Sequence, residues 1–512
     1  MTRRWAWACS LVMLQSATSG AGVLAAPQNL VRADSAYARG QRDDARQLYS
    51  AAVAQDPSQS HALFRLAQLT DDPARALQLY RRYVALEPRD PWGPMAAGDL
   101  LSRLGRTEAA LAEYDHAAQL APRARDVAAG RARVLDRAGR HDEAAATFEH
   151  WLAAHPEDAG MWQELGRQSL KAGKPRRATE AFEHAAYAAP MLAGGRQPAA
   201  APSLRLARAL AAPSVQPLVM ANEDSDGDHT LGTGFAVDIL VVDGARLGAQ
   251  VLHRVVTHGG SSAGVSDAGL KFALRPRSTW RIDGGAGVAR FEVGENPKPG
   301  LTWAGDVRTR WRAPQNGASV ELRAQRNPLA ATPELVANLA LRDEGRLALE
   351  LPIGRLRLRG AAKGAWIETA IDRNWRRGAE GGLALAIVPA WTPWIRYETA
   401  GYRDATTSGY FAPRRAEGVT LGSTLELGDG APLLLEFDGG AGLQRFAAQG
   451  TAMGVWRPAA TAYAYASGSL GAGREVCLEL EAEDSPGLST VASASTNWRY
   501  TSVRLSLRWA LR

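Results

Sequence analysis

The sequence predicts an α + β chain of two domains. An N-terminal α-solenoid of helical hairpins precedes a C-terminal antiparallel transmembrane β-barrel of about 14–16 strands. Three observations carry this prediction. Pro88, Pro122, Pro156 and Pro190 recur at a spacing of 34 residues, a repeat period. From residue 216 onward, apolar and polar residues alternate with period two in segments of about 10–14 residues. Ten of the fifteen tryptophans also lie in that second half, several near segment ends.

Residues 1–26 open with Arg3 and Arg4, run through apolar Leu11, Val12, Met13 and Leu14, and close on small residues around Ala25. This pattern predicts a secretory signal peptide, cleaved near Ala25. The net charge is +7, and removing Arg3 and Arg4 leaves 7 − 2 = +5, a mild excess that points to no nucleic-acid partner. Cys9 falls in the leader, too early for a lipoprotein anchor, so Cys477 has no partner for an internal disulfide. Past the leader, no apolar run reaches the roughly 18 residues of a spanning helix.

Over 27–192 the repeats align in five units. Gly40, Ala45, Tyr49, Ala52 and Pro57 form the first. The second keeps Ala76, Tyr80 and Pro88 but is shortened around Asp71-Asp72-Pro73. The third and fourth are Gly105, Ala110, Tyr114, Ala117, Pro122 and Gly139, Ala144, Phe148, Trp151, Pro156. The fifth adds Trp162, Leu165 and Gly166 to Gly173, Ala178, Phe182, Ala185 and Pro190. Small residues let paired helices approach, an aromatic ring fills the remaining gap, and proline ends the second helix. This is the tetratricopeptide pattern.

The first helix of each unit lines the concave face of such a solenoid, where Arg103, Arg133, Arg137, Arg167 and Lys171 would lie. They form either a basic ridge that docks an acidic protein or polymer, or a solvated helical face. Residues 193–215, rich in Gly, Pro and Ala, are expected to be a linker with one short helix around Leu204–Leu210.

The barrel is assigned to 216–512. Phe235, Val237, Ile239 and Val241 alternate up to Asp243-Gly244, a hairpin signal. Leu347, Leu349 and Leu351 alternate likewise, as do Val503, Leu505, Leu507, Trp509 and Leu511. Residues 354–360 read GRLRLRG, which in a strand sets Arg355, Arg357 and Arg359 on one face and leucines on the other. Lipid outside and water inside would accommodate both faces. Trp391 and Trp394, beside Tyr397, are expected in an interfacial aromatic girdle. The alternative is a soluble β module with one shared core. The chain closes Trp509-Ala510-Leu511-Arg512, without the terminal aromatic residue common in outer-membrane chains.

A hydrated lumen would receive Arg355, Arg357, Arg359, Arg504 and Arg508, offset by Glu350, Glu475, Glu479 and Glu481. These side chains either exchange hydrogen bonds with passing sugars or pair with one another and brace the barrel. Catalytic motifs are missing: no Gly-x-Ser-x-Gly elbow, phosphate loop or dinucleotide fingerprint occurs. No enzyme activity, cofactor or metal is expected. Six of the nine histidines scatter over the repeats without metal spacing, while His229, His253 and His258 share one early barrel region where a metal site is the less favoured reading. Asp224, Asp226 and Asp228 lack the glycine position and the far glutamate of a calcium loop, so a polar hairpin turn is expected there.

A leader, helical repeats and a barrel together resemble the outer-membrane exopolysaccharide export porins, those for cellulose and poly-N-acetylglucosamine. Gly409-Tyr410-Phe411-Ala412-Pro413 is similar to the Gly-Tyr-Phe/Tyr-Ser-Pro stretch of the cellulose porins, with Ala412 in place of serine. Asp224-Ser225-Asp226-Gly227-Asp228 is similar to the turn that opens the barrels of related proteins. The resemblance implies an outer-membrane porin with its repeats in the periplasm, a polysaccharide substrate, and a periplasmic protein partner on the repeat face. Surface lipoprotein assembly modifiers, which translocate lipoproteins, share the plan and match the length. Phage-adsorption proteins of the outer membrane share it as well.

Overall fold

The computed structural model describes residues 28–188, 201–293, 300–314, 317–388, 390–428, 433–471, 473–484, 488 and 498–511. The leader 1–26, Pro190 and the first part of the segment read as a linker lie outside these residues. Five helical hairpins come first: α1 (Gln28–Ala38) with α2 (Arg42–Gln55), α3 (Ser60–Leu69) with α4 (Pro73–Leu86), α5 (Trp92–Arg103) with α6 (Thr107–Leu120), α7 (Arg125–Arg137) with α8 (His141–Ala154), and α9 (Ala159–Lys171) with α10 (Pro175–Ala188). The chain divides at α6 into two compact units. Residues up to Leu104 with Ala112–Pro122 form one, and Gly105–Leu111 with Arg123–Arg512 form the other.

The repeat residues do what their types predict. Gly40, Gly105, Gly139 and Gly173 each take a φ of 71–76°, the left-handed conformation that lets the chain reverse between paired helices. The shortened second repeat has no such glycine. There Asp72 caps α4 by accepting from the amides of Ala74 and Arg75, and Pro73 starts the helix. Ala45, Tyr49 and Ala52 share one buried face of α2, as Ala178, Phe182 and Ala185 do on α10. A Cβ on Gly166 would lie 2.5 Å from the Phe182 ring, so that ring fills the space an absent side chain leaves.

The described part of 193–215 is not an open linker. It forms α11 (Ala201–Ala211), whose Ala207 is buried with Ala178 and Phe182, and then the start of the first strand.

Sixteen strands follow: β1 (Ser214–Asp224), β2 (His229–Val242), β3 (Ala245–His258), β4 (Ser261–Arg277), β5 (Trp280–Val293), β6 (Gly300–Arg312), β7 (Ser319–Pro328), β8 (Leu341–Ile353), β9 (Leu356–Glu368), β10 (Arg373–Leu385), β11 (Trp391–Tyr402), β12 (Arg415–Leu427), β13 (Leu433–Ala447), β14 (Arg457–Gly471), β15 (Arg474–Asp484) and β16 (Tyr500–Ala510). A short helix, α12 (Pro333–Ala337), interrupts the connection between β7 and β8. Each strand pairs antiparallel with its sequence neighbours, and β1 pairs β16 from Ser214–Ala510 to Asp224–Tyr500, which closes the barrel.

Register sorts the side chains, because directly opposed residues share a face. Leu351, Leu358, Leu383, Ile395 and Leu421 are successive neighbours around the outside, each 40–64 % exposed. An exposed aliphatic belt of this kind is what a lipid-facing barrel surface carries. Trp280 and Trp311 are directly opposed at one rim, where Trp391 and Trp509 also lie, and Trp303, Trp366 and Trp375 mark the other. Trp303 and Trp311 are eight residues apart on β6, about 27 Å along the strand and roughly 20 Å in height at the usual tilt. Trp394 does not belong to the girdle. Its neighbours in register turn it inward, where Gly422 and Gly440 leave it room and its indole Nε1 donates to Asp438 at 3.2 Å.

The rims differ. Between β2 and β3, β4 and β5, or β8 and β9 the chain turns in two residues, with Gly244 and Gly354 at positive φ. The opposite rim carries the longer connections, among them 329–340 and 403–414. The repeats of the second unit are seated on the short-turn rim. Asp243 accepts from the amides of Arg176 and Arg177 at 2.9 and 2.8 Å, and Asp142 accepts from the Ser278 amide at 2.7 Å.

A charged lumen with a loop folded into one end

Arg357 and Arg359 face inward on β9 and both approach Glu350 of β8, at 3.7 and 3.0 Å. Arg355 does not: β9 begins at Leu356, and Arg355 is exposed in the turn with Gly354. The turn takes the first two residues of GRLRLRG, so the strand alternation starts one arginine later. Arg504 faces inward 3.7 Å from Glu479, and Arg508 opposes Glu475. Glu481 opposes Tyr463 of β14 and forms no ion pair among the described residues.

Register assembles a larger pattern that the alternation alone does not reveal. Arg308, Arg323, Arg346 and Lys363 are successive cross-strand neighbours from β6 to β9, a ladder of four cations on the inner wall. Directly opposed like charges destabilise a sheet by a few tenths of a kcal/mol to about 1 kcal/mol per pair. Flanking carboxylates offset part of this. Glu321 accepts from Arg308 at 2.7 Å and Arg310 at 2.6 Å, while Glu380 meets Arg346 at 2.5 Å and Lys363 at 3.1 Å. Arg323 is exposed to the lumen and has no ion pair among the described residues.

A second ladder has the opposite sign. Glu426 of β12 opposes Glu436 of β13, which opposes Tyr465 of β14, which opposes Glu479 of β15. Glu426 and Glu436 form no ion pair among the described residues. One inner arc is therefore basic and another acidic. Between them lies a cavity of about 470 Å³ lined by Arg310, Glu321, Arg346, Arg359, Glu380, Trp394 and Glu426.

The loop end is partly filled by the chain itself. The connection 329–340 folds into the barrel, and α12 presses Leu335 and Val336, both fully buried, toward the inner wall. Val336 joins Val256, Val265, Ala289 and Phe291, apolar inner residues of β3–β5, in one cluster. Leu335 joins Leu329, Ala340, Ile367, Tyr402 and Tyr410 in another, with Ala412 packed against it. The Gly409–Pro413 motif thus supplies part of the plug. Burial pushes the Tyr410 hydroxyl up to about 12, so it remains neutral. Thr332 caps α12 by accepting from the Leu335 amide at 3.1 Å, and Leu339 just beyond has a φ of 51°, unusual for a residue with a side chain.

Asp224 accepts from the amides of Asp226 and Asp228, both at 3.0 Å, which makes the aspartate-rich stretch a hydrogen-bonded turn. Among the described residues no three His, Cys, Asp or Glu side chains gather as a metal site. On the repeats, Arg103, Arg133, Arg137, Arg167 and Lys171 are all exposed. Lys171 is tied to Asp136 at 2.7 Å and Arg167 to Glu164, whereas Arg103 and Arg133 form no ion pair among the described residues. Hydrogen bonds from His141 and then Lys171 hold the Asp136 carboxyl well below the usual range.

The tetratricopeptide repeat matches the chain twice, over residues 30–91 and 103–168. The helical half is built of tetratricopeptide repeats. Solved structures similar to parts of the chain include the MamA protein (20% identity, 31% of this chain and 89% of that one, TM-score 0.29). A thermophilic tetratricopeptide-repeat protein of Thermus thermophilus aligns over 32% of this chain and 92% of its own, with 25% identity and a TM-score of 0.26. A bacterial polysaccharide outer membrane secretin aligns over 59% of this chain and 99% of its own, with 12% identity and a TM-score of 0.42. No curated protein matches the chain in sequence.

Proposed function

We propose that this chain is an outer-membrane conduit that passes an exopolysaccharide outward, its repeats on the periplasmic side receiving the polymer or recruiting partners. The observation that carries the reading is the cation ladder from Arg308 to Lys363 inside a closed, externally aliphatic barrel. A wall held together against its own repulsion serves a purpose other than stability. Guanidinium groups facing carboxylates across water offer a polyhydroxylic chain many weak, exchangeable hydrogen bonds, so it can be held without being trapped. A 16-strand cylinder is wide enough for an aqueous channel. The plug built on α12 would have to leave its seat for passage. On this reading the short-turn rim, where the repeats of the second unit dock, faces the periplasm and the long loops face outward. The chain carries out no chemistry of its own on the polymer.

Deleting the gene and assaying secreted polysaccharide and surface lipoprotein side by side tests the proposal. Loss of the polymer with lipoprotein display intact is the expected result. Retained polymer with lost lipoprotein would replace it with lipoprotein translocation, and loss of neither would remove transport altogether.

A further inference from the structure

We infer that the outer face around Gly401 binds the phosphate of a membrane lipid headgroup. The inference rests on the transmembrane reading of the barrel but not on what the barrel transports. Arg377 of β10 is directly opposed to Gly401 of β11, and Arg415 flanks the same glycine from β12. Any side chain at 401 would run into the Arg414 carbonyl, so the position is held to glycine and no side chain stands between the two arginines. Two strand spacings separate them, about 10 Å between backbones, a gap that two long side chains can close upon one phosphate.

Both guanidiniums are available. Arg377 is exposed and forms no ion pair among the described residues. Arg415 is 58 % exposed and touches Glu417, but Arg445 already supplies that carboxylate with bonds of 2.9 and 2.7 Å. Arg415 can therefore turn to a ligand without leaving a buried charge unpaired. The height is also right. Gly401 lies ten residues from the rim tryptophan Trp391, about 33 Å along β11 and roughly 25 Å in height, close to the apolar thickness such barrels present. The pair thus sits at headgroup level beneath the long loops. Trp375, in edge contact with Trp366 at 4.5 Å, lies beside Arg377, and exposed Tyr397, Val419 and Leu443 lie below to meet acyl chains. Paired arginines hold phosphate bidentately.

The test uses the full chain in neutral detergent with phosphatidic acid as the probe, bound lipid being counted by native mass spectrometry. The Arg377→Ala/Arg415→Ala double variant should bind roughly 10- to 30-fold less phosphatidic acid than the wild type. Arg355→Ala, at the opposite rim, should bind normally, and inorganic phosphate at equal concentration should not displace the lipid. Undiminished binding in the double variant would overturn the inference. So would displacement by inorganic phosphate, which would make this an anion site and not a lipid site. A barrel that stays dissolved without detergent would instead overturn the transmembrane reading itself, an outcome distinct from either.

Discussion

Weakening the α12 seat tests whether the plug controls the lumen. Leu335 and Val336 are fully buried. Truncating a buried leucine to alanine costs about 2–5 kcal/mol when the cavity does not collapse. A five-residue helix has almost no stability of its own, so the seat depends on these contacts and on the Thr332 cap. Taking about 2–3 kcal/mol as the loss for Leu335→Ala, the unseated fraction should rise roughly 30- to 150-fold, at tenfold per 1.4 kcal/mol. Planar-bilayer recording of the purified chain should then show a matching rise in open time. Leu270→Ala removes the same methyl groups from the lipid face, where the residue is 72 % exposed, and should leave conductance unchanged. If Leu335→Ala gave the wild-type open fraction in a correctly folded barrel, the loop 329–340 would not be a gate.

Gly166→Ala should destabilise the fifth repeat by about 1–3 kcal/mol, because its methyl group meets the Phe182 ring; urea titration followed by helical circular dichroism measures this. Asp243→Asn removes the charge that holds two amides at the start of α10, so hydrogen exchange at Arg176 and Arg177 should accelerate by about tenfold while barrel strands stay protected. Burial, reinforced by the Asp224 charge and opposed by His258, pushes the Asp228 carboxyl up to about 6 in the β1–β2 turn. A carboxyl raised above its unfolded value near 3.9 contributes stability below that value and loses it as pH rises through about 6. Intrinsic-rate-corrected protection of the turn amides should therefore be greater at pH 5 than at pH 7, and Asp228→Asn should flatten that difference.

The repeats were legible because each reuses one local geometry. A reversal needs positive φ, two helices need small residues to approach, and a fixed length separates the units, so Gly40, Ala45, Tyr49 and Pro57 announce them without any tertiary information. The barrel was legible for a similar reason, since alternation fixes faces strand by strand. It fixes nothing between strands. Arg308, Arg323, Arg346 and Lys363 lie on four segments, and only the register makes them neighbours. The run Arg308-Thr309-Arg310-Trp311-Arg312 was the available signal for one rail of that wall. Arg355 and Trp394 were misplaced for a related reason: a shift of one residue at a strand boundary, or in the alternation, exchanges turn, lumen and lipid. The plug left no periodic trace. Its apolar residues look like any loop until the wall they cover, Val256, Val265 and Phe291, is seen to be apolar where a water-lined lumen should be polar.

That apolar patch and the two charged ladders share one inner wall. A hydrated lumen asks only that its inward polar groups be solvated or paired. Instead the inner wall gathers cations on β6–β9, the opposed Glu426 and Glu436 on β12 and β13 with no ion pair among the described residues, and a hydrophobic seat on β3–β5 filled by the chain's own loop. Each arrangement costs something that a mere scaffold would not bear: repulsion on the first two arcs, and on the third an obstruction of the channel. The repeats of the second unit, meanwhile, are fastened to the short-turn rim through Asp142 and Asp243, so whatever they hold is held beside the mouth opposite the plug. A solute released there meets the charged walls before it meets the obstruction. That order suits a conduit that engages its cargo first and opens afterwards, and it would be the wrong order for a passive sieve.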